Sequence, residues 1–506
     1  MTNNNLYEIA LLDLDDEVIL QHFLNGALPN HVKEKLKALL SKTSTPLAIR
    51  SSSLLEDSHY QPFAGIYSTY MIPYIKEDEE MLEMLYRAIK SVYASVFYRS
   101  SKAYMEATKN VIDEEKMAII LQEVTGSTYG DRFYPTISGV ARSVNFYPIE
   151  PEKPEDGITS IGLGLGKIIV EGGKTLRFSP KYPKKVLQLS TPQMALTETQ
   201  KKFYALSMNP EDYIDSTDDG INMEELSIKE ADKDGAIKKI CSVYDFQDNV
   251  VRDGAYGKGK KLITFSGILK YNSFPLSDIL NTLLHVGQKE MNHPVEIEFA
   301  VNLDTGEDCP DIFSFLQIRP IVEASDTLNF DLGEVNEQEC ILVSEKALGN
   351  GIIDDLYDFI YVKPDSFNPE KTKQIAEEID DLNRKFREEN KNYILVGPGR
   401  WGSSDPWLGV PIKWSQISQA RLIVESGLPN YRIDPSQGTH FFQNLTSFRI
   451  GYFTINPFMN DGKYDVEFLD NQPAVFETDY IRHVQFSQPA VVKIEAKRNK
   501  GIVLKP

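Results

Sequence analysis

A chain of 506 residues is too long for one ordinary hydrophobic core, so two to four domains are expected. Its 41% apolar and 25% charged content is that of a folded protein rather than a disordered one, and a net charge of −20 argues against nucleic acid or an anionic membrane as partner. Cys241, Cys309 and Cys340 are scattered without metal-ligand spacing, which argues against a disulfide framework or a zinc site and for a reducing compartment. The opening MTNNNLYEIALLDLDDE has no basic n-region, and no apolar run approaches the ~20 residues of a membrane span, so a cytoplasmic protein is expected.

In chain order, LPNHVKEKLKALLSK places Val32, Leu36, Leu39 and Leu40 on one helical face. Leu47, Ala48 and Ile49 then predict a short buried strand delivering Arg50 into Ser51, Ser52 and Ser53, a donor-rich cluster suited to oxyanions because guanidinium is always charged and forked. Glu56, Asp57 and Phe63-Ala64-Gly65 follow. Residues 77–108 carry apolar side chains at three and four spacing and predict two helices, and MAIILQEV, residues 117–124, predicts a buried strand. GLGLGK, residues 162–167, fails the phosphate-loop spacing because Ile161 stands where the first glycine should be and Ile168 follows the lysine.

Residues 195–255 are acidic and predict a loop-and-helix excursion with a solvated face. LITFSGIL predicts a strand, and PLSDILNTLLHVGQKEM a helix with Ile279, Leu283 and Val286 inward. HPVEIEFAV and FSFLQIRPI are strand-like runs whose alternation puts Glu296 with Glu298, and Gln317 with Arg319, on shared faces. Neighbouring strands of this kind gather carboxylate, amide and guanidinium together, although a solvated sheet face is the plainer reading for Glu296.

Taken together, RSSxxxED from Arg50, FAG with Thr69 four residues on, IEFA at 297–300 and LQIRP at 316–320 resemble, in that order, the ATP-binding domain of the pyruvate phosphate dikinase and phosphoenolpyruvate synthase group. The resemblance covers roughly residues 45–322. It implies an α+β fold with an ATP-grasp nucleotide site using ATP and Mg²⁺. Arg50, Ser51, Ser52 and Arg319 would meet phosphates, Glu298 and Gln317 would hold the metal, and the strand at Gln122, Glu123 and Val124 would border adenine. Tyr93-Ala94-Ser95 is similar to a tryptophan-alanine-serine string of the family, and Ser138-Gly139-Val140 to its SGVxFT strand, with Arg142 and Ser143 where Phe and Thr are usual. Lys167 occupies an acidic position of the family, either to meet phosphate or to reverse a surface charge. The family's Gly-Gly-Lys segment has no counterpart among the residues before Arg50.

These matches predict a nucleotide-binding domain over 1–322, with 195–255 inserted, and a linker over 323–339. A divergent phosphohistidine-like swivelling domain over 340–460 and a β-rich module over 461–506 are expected to follow. In the second half, Gly397, Gly399 and Gly402 spell GxGxxG after a strand, but Pro398, Pro406 and Pro411 argue against the helix a dinucleotide site requires. What remains is a rigid loop offering Arg400, Ser403 and Ser404 to an anion, or a corner anchored by buried Trp401, Trp407 and Trp414. Gly438-Thr439-His440 is similar to part of the phosphohistidine motif, with Phe441 and Phe442 replacing two alanines, so His440 is either a phosphoryl acceptor or a packed residue. The pyruvate-binding barrel has no counterpart here. The expected function is ATP-dependent phosphoryl transfer to an unidentified acceptor, with His440 and Arg319 as catalytic groups. The alternatives are a catalytically silent nucleotide-binding or interaction module, or part of a longer chain that supplies the lysine segment. A homo-oligomer stays open.

Overall fold

The computed structural model describes residues 4–53, 65–76, 78–108, 115–303, 310–321, 332–333, 335–429, 433–437, 439–447 and 450–506. Glu56, Asp57, Phe63, Ala64 and Gly438 of the motifs above lie outside them. The chain forms two units, Met1–Val170 with Lys174–Ile321, and Glu171–Gly173 with Val322–Pro506.

In the first unit, β1 (Leu47–Ser53) pairs antiparallel with β2 (Tyr70–Ile72) and β3 (Met117–Glu123). Strand alternation explains the faces. Leu47 and Ile49 join Tyr70, Ile72 and the Leu85, Ile89 and Val92 stripe of α1 (Asp78–Ser95) in one core, leaving Ala48 and Arg50 on the opposite face. β1 runs on through Ser53, so Ser52 shares the face of Arg50 while Ser51 lies on the other. β3 is the terminal strand of its sheet and is not buried as expected; Ile120, across from Arg50, is 49% exposed.

The second sheet is antiparallel and five-stranded. β4 (Ile137–Arg142), β5 (Ile158–Gly162) and β6 (Leu176–Phe178) lie on one side of β7 (Val295–Asn302), and β8 (Ile312–Pro320) on the other. Ile137, Ala141, Val295, Ile297, Phe299 and Val301 pack with Leu280 and Leu284 of α2 (Leu276–Met291). The buried stripe of α2 is therefore one residue away from the expected face, and Val286 is exposed. Residues 195–255 are richer in strands than expected: Lys202–Ser207, Met223–Ser227, Cys241–Asp245 and Val250–Asp253 are all extended, and short runs such as KFYALS bury Phe203, Ala205 and Leu206 despite the acidic surroundings. LITFSGIL divides into the end of a strand, Lys260–Ile263, and a helical turn, Ser266–Leu269.

The second unit is built on one mixed sheet. β9 (Gly351–Val362), β10 (Tyr393–Pro398), β11 (Ala420–Ser426) and β12 (Gly451–Ile455) are successively paired in parallel. α3 (Thr372–Glu388) connects the first two and α4 (His440–Ser447) precedes the last. β13 (Ile481–Glu495) and β14 (Lys500–Leu504) continue the same sheet beyond β9, so strands from 461–506 share a sheet with strands from 340–460. No helix opens after Gly402; Arg400–Trp401 instead pairs in parallel with Gly409–Val410.

Gly139 shows how tightly the second sheet is packed. It lies opposite Phe299 in the ladder, and an added Cβ would come within 2.1 Å of that ring. Gly139→Ala is expected to destabilise the protein by ~1–3 kcal/mol through overpacking, read as a lower midpoint in chemical denaturation.

Candidate functional site

Three strands set opposing charges side by side. Glu296 of β7 stands directly across from Arg142 of β4 and Arg319 of β8, and Glu298 stands across from Val140 and Gln317. All these side chains leave the face opposite the Ile297 and Phe299 core, because positions two apart on a strand point the same way. Arg142 Nε and Nη2 each lie 2.5 Å from Glu296 Oε2. Arg319 Nε is 3.6 Å from Glu296 Oε1, and its Nη2 donates to Glu298 Oε1 at 2.6 Å and to Gln317 Oε1 at 3.3 Å.

Arg50, from the other sheet, closes the group. Its Nη2 donates to Glu298 Oε2 at 3.0 Å and to Gln317 Oε1, and its Nη1 donates to Gln122 Oε1 at 3.1 Å. The result is a row of alternating sign, Arg50, Glu298, Arg319, Glu296, Arg142, in which three arginines face two glutamates. Burial deepens along it: the Arg50 side chain is 21% exposed and that of Arg142 4%. Charges this desolvated persist when paired and hydrogen-bonded, and every oxygen of both glutamates has an arginine partner.

The structure thus joins Arg50, Gln122, Glu298, Gln317 and Arg319, all singled out in the sequence. It adds two residues. Glu296, read as solvated, is 4% exposed, and Arg142, noted only as a departure from a motif, is 3% exposed. The signal that links them is their cross-strand register, which spans residues far apart in sequence.

The adenine expectation meets a constraint in the backbone. The Val124 N–H donates to the Pro46 carbonyl at 2.9 Å, so by antiparallel alternation Leu121 and Glu123 turn their peptide groups away from β1. That edge of β3 pairs with no strand among the described residues. Lys167 begins a four-residue helix, with its Nζ 5.9 Å above the Tyr204 ring. Ser95 of the Tyr93-Ala94-Ser95 string accepts from the Ser68 N–H at 3.1 Å, next to Thr69. No group of three or more His, Cys, Asp or Glu is arranged to hold a metal among the described residues. No helix there is long and apolar enough to cross a membrane.

In the second unit, Trp401 and Trp414 are buried as expected, whereas Trp407 is 70% exposed. Arg400 Nε donates to the Asp434 carbonyl at 3.2 Å. Thr439 caps α4, accepting from the Phe442 N–H at 3.1 Å, so His440 opens that helix half-buried beside Phe441 and Phe442, which are buried. Near the carboxyl ends of the parallel strands, Glu425 accepts from Tyr452 Oη at 2.5 Å, Ser436 Oγ at 2.8 Å and the Trp401 N–H at 3.0 Å. Burial pushes its carboxyl from an ordinary 4.5 up to about 7, with those hydrogen bonds and Arg400 pulling the other way.

Two sheets that present guanidinium, carboxylate and amide groups to one another place the protein in the α+β class. Its family is identified by comparison: the pyruvate phosphate dikinase AMP/ATP-binding domain matches residues 3–336, and the chain belongs to that family. It is 31% identical over 178 residues to an uncharacterized phosphotransferase, YvkC, of Bacillus subtilis (strain 168), a match covering 35% of this chain and 19% of that protein. It is 24% identical over 314 residues to a phosphoenolpyruvate synthase of Aeropyrum pernix, covering 60% of this chain and 33% of that one. The chain therefore spans a third or less of the length of either relative.

The raised carboxyl of Glu425 gives a sign for pH dependence. Between 4.5 and about 7 the folded state holds a proton that the unfolded state has released, so stability is fully present below that window and falls as pH rises through it. Glu425→Gln is expected to unfold near the wild-type temperature at about pH 5 and at a higher temperature at about pH 8, followed by thermal melts of the full chain.

Proposed function

We propose that the first unit is an ATP-grasp site for Mg²⁺ and ATP, and that the chain takes part in ATP-dependent phosphoryl transfer, in the cytoplasm, to an acceptor not yet identified. The row from Arg50 to Arg319, in a chain of this family, is the observation that carries the reading. Arg50 and Arg319 would exchange their present partners for phosphate oxygens, with Ser51, Ser52 and Lys167 contributing further donors. Adenine would lie along the open edge of β3, where Glu123 offers backbone groups and Gln122 and Val124 shape the strand end.

Glu298 and Gln317 fit Mg²⁺ chemically, being hard oxygen donors, and one carboxylate is a usual protein share when phosphates complete the shell. When bound, the ion would supply positive charge to offset that of the transferring group. Arg319 would stabilise that charge as a catalytic group.

His440, in the second unit, is the candidate intermediate acceptor. A ring nitrogen would bond to the transferring phosphorus as the bond to the nucleotide oxygen breaks, and the start of α4 would favour the added negative charge. The competing reading is a silent nucleotide-binding module, favoured by the packing of Phe441 and Phe442 beside His440.

Calorimetry tests the site. Arg319→Ala and Glu298→Ala are each expected to weaken Mg²⁺-dependent ATP binding by about tenfold or more, and unchanged affinity in both removes the assignment. Chemistry is tested separately with β- and γ-labelled ATP. Acid-labile label on the wild-type protein, lost in His440→Ala, is expected of a phosphotransferase; absence of label and of AMP or ADP release with every acceptor tried favours the silent module.

A further inference from the structure

Arg142 stands out as a buried cation at a strand position where the resembled motif carries phenylalanine, with both Nε and Nη2 directed to one oxygen of Glu296. A buried ion pair contributes little net stability compared with apolar side chains of similar volume, because each charge is stripped of water. Packing therefore gives no reason to prefer it here. Its neighbours do: Glu296 Oε1 also faces Arg319 Nε at 3.6 Å, while Arg319 Nη2 reaches toward Glu298 and Gln317.

We propose that Arg142 is a positioning and charge-setting residue for the phosphate site: by neutralising Glu296 it keeps Arg319 from being captured by that carboxylate. The proposal rests on the reading of Arg319 as a phosphate ligand. With Arg142 present, Glu296 Oε2 is held at 2.5 Å and only its Oε1, 3.6 Å away, faces Arg319. Without it Glu296, left with Arg319 as its one arginine in the row, draws that guanidinium away from Glu298 and from an incoming phosphate. A charge in this buried setting is poorly screened, so the effect reaches Arg319 one residue pair away. Arg142 touches no nucleotide in this arrangement and acts through Glu296.

The consequence is a reversal that a purely structural residue would not produce. In calorimetry with the full chain and Mg²⁺-ATP, Arg142→Met is expected to bind roughly tenfold or more weakly, the size usual for residues that orient a ligand-binding group, with adenosine binding unchanged. Arg142→Met/Glu296→Gln, which removes the competing carboxylate together with its partner, is expected to return to near wild-type affinity. Glu296→Gln alone is expected to bind ATP more tightly than wild type. Thermal melts accompany each variant, and if Arg142→Met does not fold, the double variant and Glu296→Gln decide the matter alone. ATP affinity unchanged in Arg142→Met, or affinity in the double variant well below wild type, overturns the proposal. If Arg319→Ala binds ATP as wild type does, the phosphate reading beneath it fails, which is a distinct result from wild-type affinity in Arg142→Met beside a weakened Arg319→Ala.

Discussion

The alternating row of Arg50, Glu298, Arg319, Glu296 and Arg142 is the interaction on which the first unit depends. Charges removed from water tolerate no vacancy beside them, so each strand must hold its register. A slip of one residue between β7 and β8 would turn Glu296, Glu298 or Arg319 into the Ile297, Phe299 and α2 core and bring apolar side chains out. The ladder is irregular between Glu298 and Phe299, just past the charged pairs, so 296 with 319 and 298 with 317 stay directly opposed while pairing beyond them shifts by one. Bulges often lie beside sites where side-chain aim matters.

The second unit handles a buried carboxylate differently. Glu425 has no arginine within ion-pair reach among the described residues and is held by hydroxyl and peptide donors from three segments: Trp401 after β10, Ser436 after β11 and Tyr452 on β12. Burial raises its carboxyl to about 7, whereas each glutamate of the first unit lies between two guanidinium groups. One arrangement balances charge against charge between strands. The other ties strand ends and loops together.

Much of the first unit was legible because its motifs report local chemistry: LAIRSSS, IEFA and LQIRP each name a strand and the polar residue it presents. The pairing of those strands was not, since β4 and β7 lie over 150 residues apart and register appears in neither segment alone. Hence Glu296 read as solvated and Arg142 as a mismatch, although both are central. Gln122 belongs to the strand expected to border adenine, and as the neighbour of Ala48 on the face of Arg50 its side chain bonds to that arginine. In residues 195–255 acidity hid short strands that bury apolar side chains, and Trp407 looked like its two buried counterparts because a tryptophan's burial depends on what the loop packs against.

The saturation of the row also bears on what recognition costs. Both oxygens of Glu298 already accept from arginines, and the Gln317 oxygen accepts from two. A polyanion entering such a site forms its bonds by exchange, so affinity is the difference between two sets of charge-assisted hydrogen bonds rather than the sum of the new ones. Two properties then decide the balance. The guanidinium groups are already gathered by strands rather than loops, which lowers the ordering cost, and the row carries three arginines to its two glutamates. In the proposed site, phosphates would release Glu298 from Arg50 and Arg319 only if the charge further along the row did not pull Arg319 the other way. The deepest member, Arg142, is the one placed to prevent that.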